Sequence, residues 1–265
     1  MKVTYLNHSG FFLEWQDCCW LFDYYRGKIP KPDRDKPLFV FCSHSHGDHF
    51  NPAVFGLVEG YSRVTYVFAN QVRQACRKLE RNPEGINLSP AQWEDLGIGG
   101  DRELPHRVKV PPVIFLQNRT DRELPDGKGD VIRIHTLQST DCGCGFFLSY
   151  KGKGVYHAGD LHWWTWPGES EAENRKMEAD YKKEMEYLAG KQVDLLFSPL
   201  DPRQEEDYGL GLTYLLGQTG AKYVFPMHFW GDFSVIDRYL QEYKVPESVK
   251  ICRIRKDGED WEIPE

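Results

Sequence analysis

Phe41-Cys42-Ser43-His44-Ser45-His46-Gly47-Asp48-His49-Phe50 gathers three histidines and an aspartate within six positions. It continues the apolar run Leu38-Phe39-Val40-Phe41-Cys42, which has the pattern of a strand buried on both faces. Four such side chains on one tight turn cannot all enter a core, because each would need a hydrogen-bond partner or neutralisation. Imidazole nitrogen and carboxylate oxygen are ligands that suit zinc, iron and manganese. His44 and His46 are two positions apart, so on an extended segment they point to the same side. Asp48 and His49 follow Gly47, where the chain is expected to turn sharply and aim at a second point. One loop would then offer two pairs of ligands to two adjacent metals.

His-x-His-x-Asp-His after a hydrophobic strand resembles the signature of the metallo-β-lactamase superfamily. The resemblance extends over nearly the whole chain. It implies an α/β (α+β) fold, a four-layer αββα sandwich with a metal site at one edge of its two central sheets. Val155-Tyr156-His157-Ala158-Gly159-Asp160 is similar to the family's strand-Gly-Asp motif, which implies that Asp160 bridges two metals. Val224-Phe225-Pro226-Met227-His228 resembles its late strand ending in a histidine, which implies that His228 is the last ligand.

One element departs from the pattern. The family normally places a further histidine before the Gly-Asp, at a strand end. Here the stretch from Val131 to Gly145 carries no histidine at 139–141. Asp141 is the expected replacement. His135 and Cys142 are alternatives, as is a loop that supplies no ligand. With Asp141 the first site is harder and friendlier to manganese or iron than three histidines would be. The expected cofactor is one or two divalent ions, zinc first.

Within the superfamily, Val3-Thr4-Tyr5-Leu6-Asn7-His8-Ser9-Gly10-Phe11 followed by Leu21-Phe22-Asp23 resembles the opening of the L-ascorbate-6-phosphate lactonase-like branch. Asp23 is expected to support the metal loop by hydrogen bonds. His8 reads as a hydrogen-bonded turn residue, with a place beside the site as the other reading. Leu161-His162-Trp163-Trp164-Thr165-Trp166 directly follows Asp160. Trp163 and Trp164 are expected to wall the substrate pocket, the alternative being packing against the acidic helix from Glu169 onward. Asp201 or Arg203, after another strand, would contact substrate, and Trp230 would line the pocket.

The 265 residues allow one large domain or two small ones. No linker separates halves, so 1–265 is read as a single domain. Hydrophobic residues make up 40% and charged residues 28%, a globular composition. The net charge of −7 argues against a chain whose main task is to grip phosphate backbones. No apolar run reaches about 18 residues, so no membrane span is expected. The opening MKVTYLNHSGFFLEW reads as a first strand and not as a secretory signal. Seven cysteines, spaced as a pair, a C-x-C and singles, make a poor disulfide framework. Reduced thiols and a cytoplasmic location follow.

Further strands are expected at Val64 to Phe68, Val131 to Ile134, Gly145 to Tyr150, Gly154 to His157, Val193 to Phe197, Ala221 to Phe225 and Val249 to Ile254. Helices are expected from Asn51-Pro52, over Asn70 to Leu79, Glu169 to Ala189, Tyr208 to Gly217 and Val235 to Tyr243. Residues 80 to 130 read as loops and edge strands.

The function read from these residues is metal-dependent hydrolysis of a small ester, lactone or phosphate ester. A metal lowers the pKa of bound water from about 15.7 towards 7. Asp48 is both ligand and proton acceptor from the attacking water. No Gly-x-Ser-x-Gly elbow or Gly-x-x-x-x-Gly-Lys loop is present, which leaves no sign of a serine route or a phosphate loop. The alternatives are a phosphodiesterase or nuclease, and a non-hydrolytic metal or redox sensor working through Cys142 and Cys144. The expected partner is a small-molecule substrate, with neither membrane nor nucleic acid. Whether copies of the chain associate is left open.

Overall fold

A computed structural model describes residues 1–31, 33, 35–58, 60–61, 63–81 and 109–264. The expectation of loops and edge strands between 80 and 130 lies outside the described residues for 82–108. The chain divides into two compact units. The first is Met1–Gln117, Asp126–Gly129 and Asp257–Glu265, and the second is Asn118–Pro125 and Asp130–Lys256.

The first unit holds β1 (Lys2–Asn7), β2 (Gly10–Glu14), β3 (Cys19–Phe22), β4 (Leu38–Cys42), β5 (Val64–Ala69), β6 (Val113–Leu116) and β14 (Asp260–Glu262). They form one sheet in the order β14-β1-β2-β3-β4-β5-β6. The pairs from β14 to β3 are antiparallel, and those from β3 to β6 are parallel. All residues of β3 and β4 are buried, as their unbroken apolar runs require. Phe22 and Phe41 are paired across these strands, with rings stacked at 4.9 Å. Among the described residues, the helices of this unit are α1 (Val54–Leu57) and α2 (Arg73–Arg81).

The second unit holds β7 (Asp121–Pro125), β8 (Val131–Gln138), β9 (Cys144–Tyr150), β10 (Lys153–His157), β11 (Gln192–Pro199), β12 (Gly220–Met227) and β13 (Lys250–Ile251). Its sheet runs β13-β12-β11-β10-β9-β8-β7. Here too the pairs from β7 to β10 are antiparallel and those from β10 to β13 are parallel. The sequence has no visible repeat, yet both sheets share this division. The helices are α3 (Glu171–Met185), α4 (Leu210–Gln218) and α5 (Ser234–Glu242).

Several boundaries differ from the sequence reading. The helix expected at Asn51-Pro52 starts at Val54, because the Asn51 side chain closes a turn by accepting the Ala53 amide at 2.9 Å. The expected helix over Asn70 to Leu79 opens with a 3₁₀ turn, Asn70–Val72. The long acidic helix starts later than Glu169, because Ser170 is its N-cap and forms a capping box with Glu173. The last strand of the second sheet has only two residues. In the described part of 80–130, β6 and β7 are strands at the edges of their sheets.

Candidate metal centre

In both sheets the parallel strands end on residues with chemistry. Ligands of open α/β sheets collect beyond the carboxyl ends of such strands. In the first unit β3 is followed by Asp23, β4 by Ser43 to His49, and β5 by Gln71. In the second, β10 leads to Asp160, β11 to Asp201 and β12 to His228.

Asp23 organises the first set. It is fully buried, with a left-handed backbone (φ 40). Its Oδ1 accepts the Ser43 amide at 2.7 Å. Its Oδ2 accepts the Ser43 hydroxyl at 2.6 Å and faces His49 Nδ1 at 2.8 Å. These contacts assign protons. A carboxylate only accepts, so the hydroxyl proton of Ser43 goes to Asp23 and the proton of His49 sits on Nδ1. His44 Nδ1 lies 2.9 Å from Ser43 Oγ, whose one proton is already committed, so His44 Nδ1 must donate. In the neutral rings of His44 and His49, Nε2 therefore carries the lone pair. That is the tautomer in which Nε2 ligates a metal while Nδ1–H is held by a partner.

His44 Nε2 faces His46 Nδ1 at 3.1 Å, and the rings are 4.6 Å apart. One donor atom each from His44, His46 and Asp48 falls within 4.8 Å of the others. The loop holding them is fixed by the Ser45 amide donating to Gln71 Oε1 at 2.8 Å. Gly47 has no positive φ, contrary to the expectation of a glycine-dependent turn. The His49 and Phe50 amides close the turn instead, both donating to the His46 carbonyl.

His8 has a larger place than a turn residue. Its Nε2 lies 3.3 Å from Asp48 Oδ2. Burial works to raise the Asp48 pKa, but the His8 hydrogen bond and the His49 charge hold it well below the usual carboxylate range.

In the second unit Gly159 takes a left-handed turn (φ 54) directly before Asp160, a conformation a residue with a Cβ resists. Asp160 is buried, with Oδ1 3.5 Å from His228 Nε2. His228 Nδ1 lies 2.9 Å from Asp201 Oδ2. With Nδ1–H given to Asp201, the neutral ring turns its Nε2 lone pair towards a carboxylate oxygen. Two acceptors meeting in a buried place fit a shared cation. The donor set of imidazole nitrogen and carboxylate oxygen suits a divalent ion.

Asp141 is exposed on the β8–β9 turn, where its amide donates to Ser139 Oγ at 3.1 Å. The neighbouring Thr140 hydroxyl is tied to the His162 backbone, donating to its carbonyl at 2.6 Å and accepting its amide at 3.0 Å. His135 is engaged elsewhere. It pairs with Asp121 across β8 and β7 at 2.8 Å and stacks on Tyr187 at 3.8 Å. Burial, then Asp141 and Asp160, push the Cys142 thiol up, which favours the protonated sulfur over a thiolate ligand.

Trp163 packs against Tyr181 of α3 and Tyr214 of α4, with Lys182 over its ring at 4.7 Å. This is the packing alternative to a pocket wall. Trp164 instead lies beside the candidate ligand, its ring 5.4 Å from His228 and stacked on Trp166. Trp230 is exposed and its ring is 5.7 Å from His228. Asp201 is fully buried, with its oxygens taken by His228 and Arg203. The His162 ring is buried against Gly211, and burial first, then His228, push its pKa down to about 3. Ser43 and Gln71 were missed by the sequence reading. Ser43 sits between strand and ligand, and a hydroxyl there was the available signal; Gln71 carries none.

No protein-family model matches the chain. It is 28% identical over 165 residues to a UPF0173 metal-dependent hydrolase of Desulforamulus reducens, covering 60% of this chain and 62% of that protein. The chain thus spans about three fifths of that relative's length. A UPF0173 metal-dependent hydrolase of Heliobacterium modesticaldum is 24% identical over 92% of this chain and 88% of its own. Among solved structures, a metallo hydrolase from Ignicoccus hospitalis superposes with a TM-score of 0.61 at 14% identity, covering 99% of each chain. The short form of human tRNase Z gives 0.55 at 17% identity over 100% of each. A metallo-β-lactamase fold protein from Bacillus subtilis gives 0.54 at 14% identity, covering 98% of this chain and 99% of its own.

These likenesses bear out the α/β fold class of the metallo-β-lactamase type. The chain thus has a fold of the metallo-β-lactamase type, and the curated relatives it resembles are metal-dependent hydrolases.

Proposed function

We propose that the chain, acting as one domain over 1–265, hydrolyses a small ester, lactone or phosphate ester at a centre built from His44, His46, Asp48, His49, Asp141, Asp160 and His228. One observation carries the reading. His44, His49 and His228 each have Nδ1 held by a hydroxyl or carboxylate, which leaves Nε2 as the ligating atom. Bound there, one or two divalent ions, zinc before manganese or iron, would supply an activated water and polarise the substrate oxygen. Asp48 would be placed to accept a proton from the attacking water, and His8 holds the Asp48 carboxylate in place. Asp23 and Asp201 orient His49 and His228, so Asp201 acts behind the ligand and not on the substrate. Trp164 and Trp230 flank His228 and serve as substrate-contacting walls; Trp163, packed on Tyr181 and Tyr214, shapes that wall from behind.

The opening segment and Asp23 support a lactonase-like substrate. The cysteine spacing supports a cytoplasmic setting. No helix among the described residues is long and apolar enough to cross a membrane. The fold likeness to tRNase Z favours a second reading, a phosphodiesterase or nuclease, against which the −7 charge weighs. A screen of lactones, phosphate monoesters and phosphodiesters on metal-stripped and zinc- or manganese-reloaded protein tests both. Turnover restored by metal on lactones or monoesters is the expected result. Turnover that ignores chelation contradicts the reading.

A further inference from the structure

One exposed side chain stands behind His228. Asp201, fully buried, accepts the His228 Nδ1–H on one side and Arg203 on the other. Arg203 Nε lies 3.0 Å from both carboxylate oxygens, and Nη2 lies 2.5 Å from Oδ2. The Arg203 amide also donates to Oδ1 at 2.9 Å. The guanidinium also lies over two indoles, 5.3 Å from the centre of the Trp166 ring and 4.7 Å from that of Trp230. The segment it touches is strained, with His228 at φ 64 and Trp230 at φ 51. Such left-handed backbone persists only where surrounding contacts over-determine it.

We propose that Arg203, in contact with the rings of Trp166 and Trp230, is a positioning residue of the metal centre. It fixes both oxygens of Asp201, and through Asp201 the tautomer and direction of His228. The proposal rests on the reading that His228 is a metal ligand. The residue type matters, because arginine presents a planar fork to a carboxylate and a flat face to an indole. Lysine offers a point charge that matches neither geometry. Asp201 would still sit beside His228 without Arg203, but free to rotate and to share its oxygens differently. Trp230, whose backbone is left-handed, would lose its cation–π partner.

The test uses the full chain stripped of metal, with zinc as the probe in competition against a chromophoric chelator. Arg203→Met should weaken zinc binding about 10- to 100-fold, the usual cost of losing a group that orients a ligand. Arg203→Lys should recover only part of that loss. Paired Trp166→Ala and Trp230→Ala changes should fall between Arg203→Met and the unaltered chain. Nitrogen-15 NMR should show His228 wholly Nδ1-protonated in the unaltered metal-free protein at pH 8 and mixed between tautomers in Arg203→Met. A side chain that only supports the fold would leave that tautomer unmoved. His228→Ala is the reference. If it binds zinc like the unaltered chain, the metal reading falls and the proposal with it. If His228→Ala loses zinc while Arg203→Met stays within about two-fold of the unaltered chain and keeps the tautomer, well short of the expected loss, the proposal alone is overturned.

Discussion

His49 donates its Nδ1 proton to Asp23 Oδ2 at 2.8 Å, across 26 positions of sequence. The same carboxylate takes the amide and hydroxyl of Ser43, so one buried aspartate sets two histidines at once. Asp23→Asn would put an amide donor against donors. It should cost about 1–3 kcal/mol of stability, from buried groups left without an acceptor. Zinc affinity should fall about 10- to 100-fold. Urea unfolding and zinc competition on the same variant check both numbers, and unchanged zinc affinity would remove Asp23 from the account.

Asp48 separates hydrolysis from a redox role. Asp48→Ala should abolish turnover of whichever ester or lactone the screen identifies. Cys142→Ser and Cys144→Ser should leave turnover near that of the unaltered chain. Steady-state rates of the three variants decide it, and the opposite pattern would favour the sensor reading.

Gly159 is the hinge on which Asp160 is presented. With φ at 54, Gly159→Ala should cost about 1–2 kcal/mol, the penalty of a Cβ in the left-handed region. Because Asp160 follows directly, zinc affinity should fall together with stability. Gly168→Ala, also at positive φ but with open space for a Cβ, should lose stability without losing zinc. Equal zinc losses in both variants would contradict the link.

Acid sensitivity should have a defined contribution from Asp194. Burial works to raise its pKa, but Lys222, the Gly154 amide and Gln192 outweigh burial and lower it. Its oxygens accept Gly154 N–H at 3.0 Å and Lys222 Nζ at 2.8 Å. A carboxyl with a depressed folded pKa stabilises fully above its unfolded value of about 3.9. That stability fades as pH falls through the lower folded value. Asp194→Asn should therefore be less stable by about 2 kcal/mol between pH 5 and 8, from losing hydrogen bonds to a charged acceptor. The gap should narrow below about pH 4. Urea melts across pH measure it, and a gap that widens in acid would reverse the sign.

The parts that sequence disclosed are those where chemistry and pattern coincide on neighbouring residues. The unbroken apolar run of β4 and the polar turn after it can be read in the twelve letters from Leu38 to His49. The Gly-Asp after β10 and the histidine after β12 stand out for the same reason. Ser43 and Gln71 bond to partners 20 or more positions away, and Arg203 meets the distant rings of Trp166 and Trp230; no local spacing encodes such contacts. Trp163 and Trp164 are adjacent in sequence, yet one packs on helices and the other faces His228, a division set by which side of the turn each leaves. His135 looked available because it is a histidine near the right strand end. Its cross-strand partner Asp121 lies on β7, a strand that composition did not distinguish from loop.

The central claim of the proposed function is that ligands from early and late in the chain hold one metal centre. Crystals of zinc-loaded protein, measured on both sides of the zinc absorption edge, test it most directly. The account predicts anomalous peaks about 2.0–2.2 Å from the Nε2 atoms of His44 or His49, from His228 Nε2 and from an Asp160 oxygen. Zinc bound only at surface residues, with His228 and Asp160 free of it, would contradict the account.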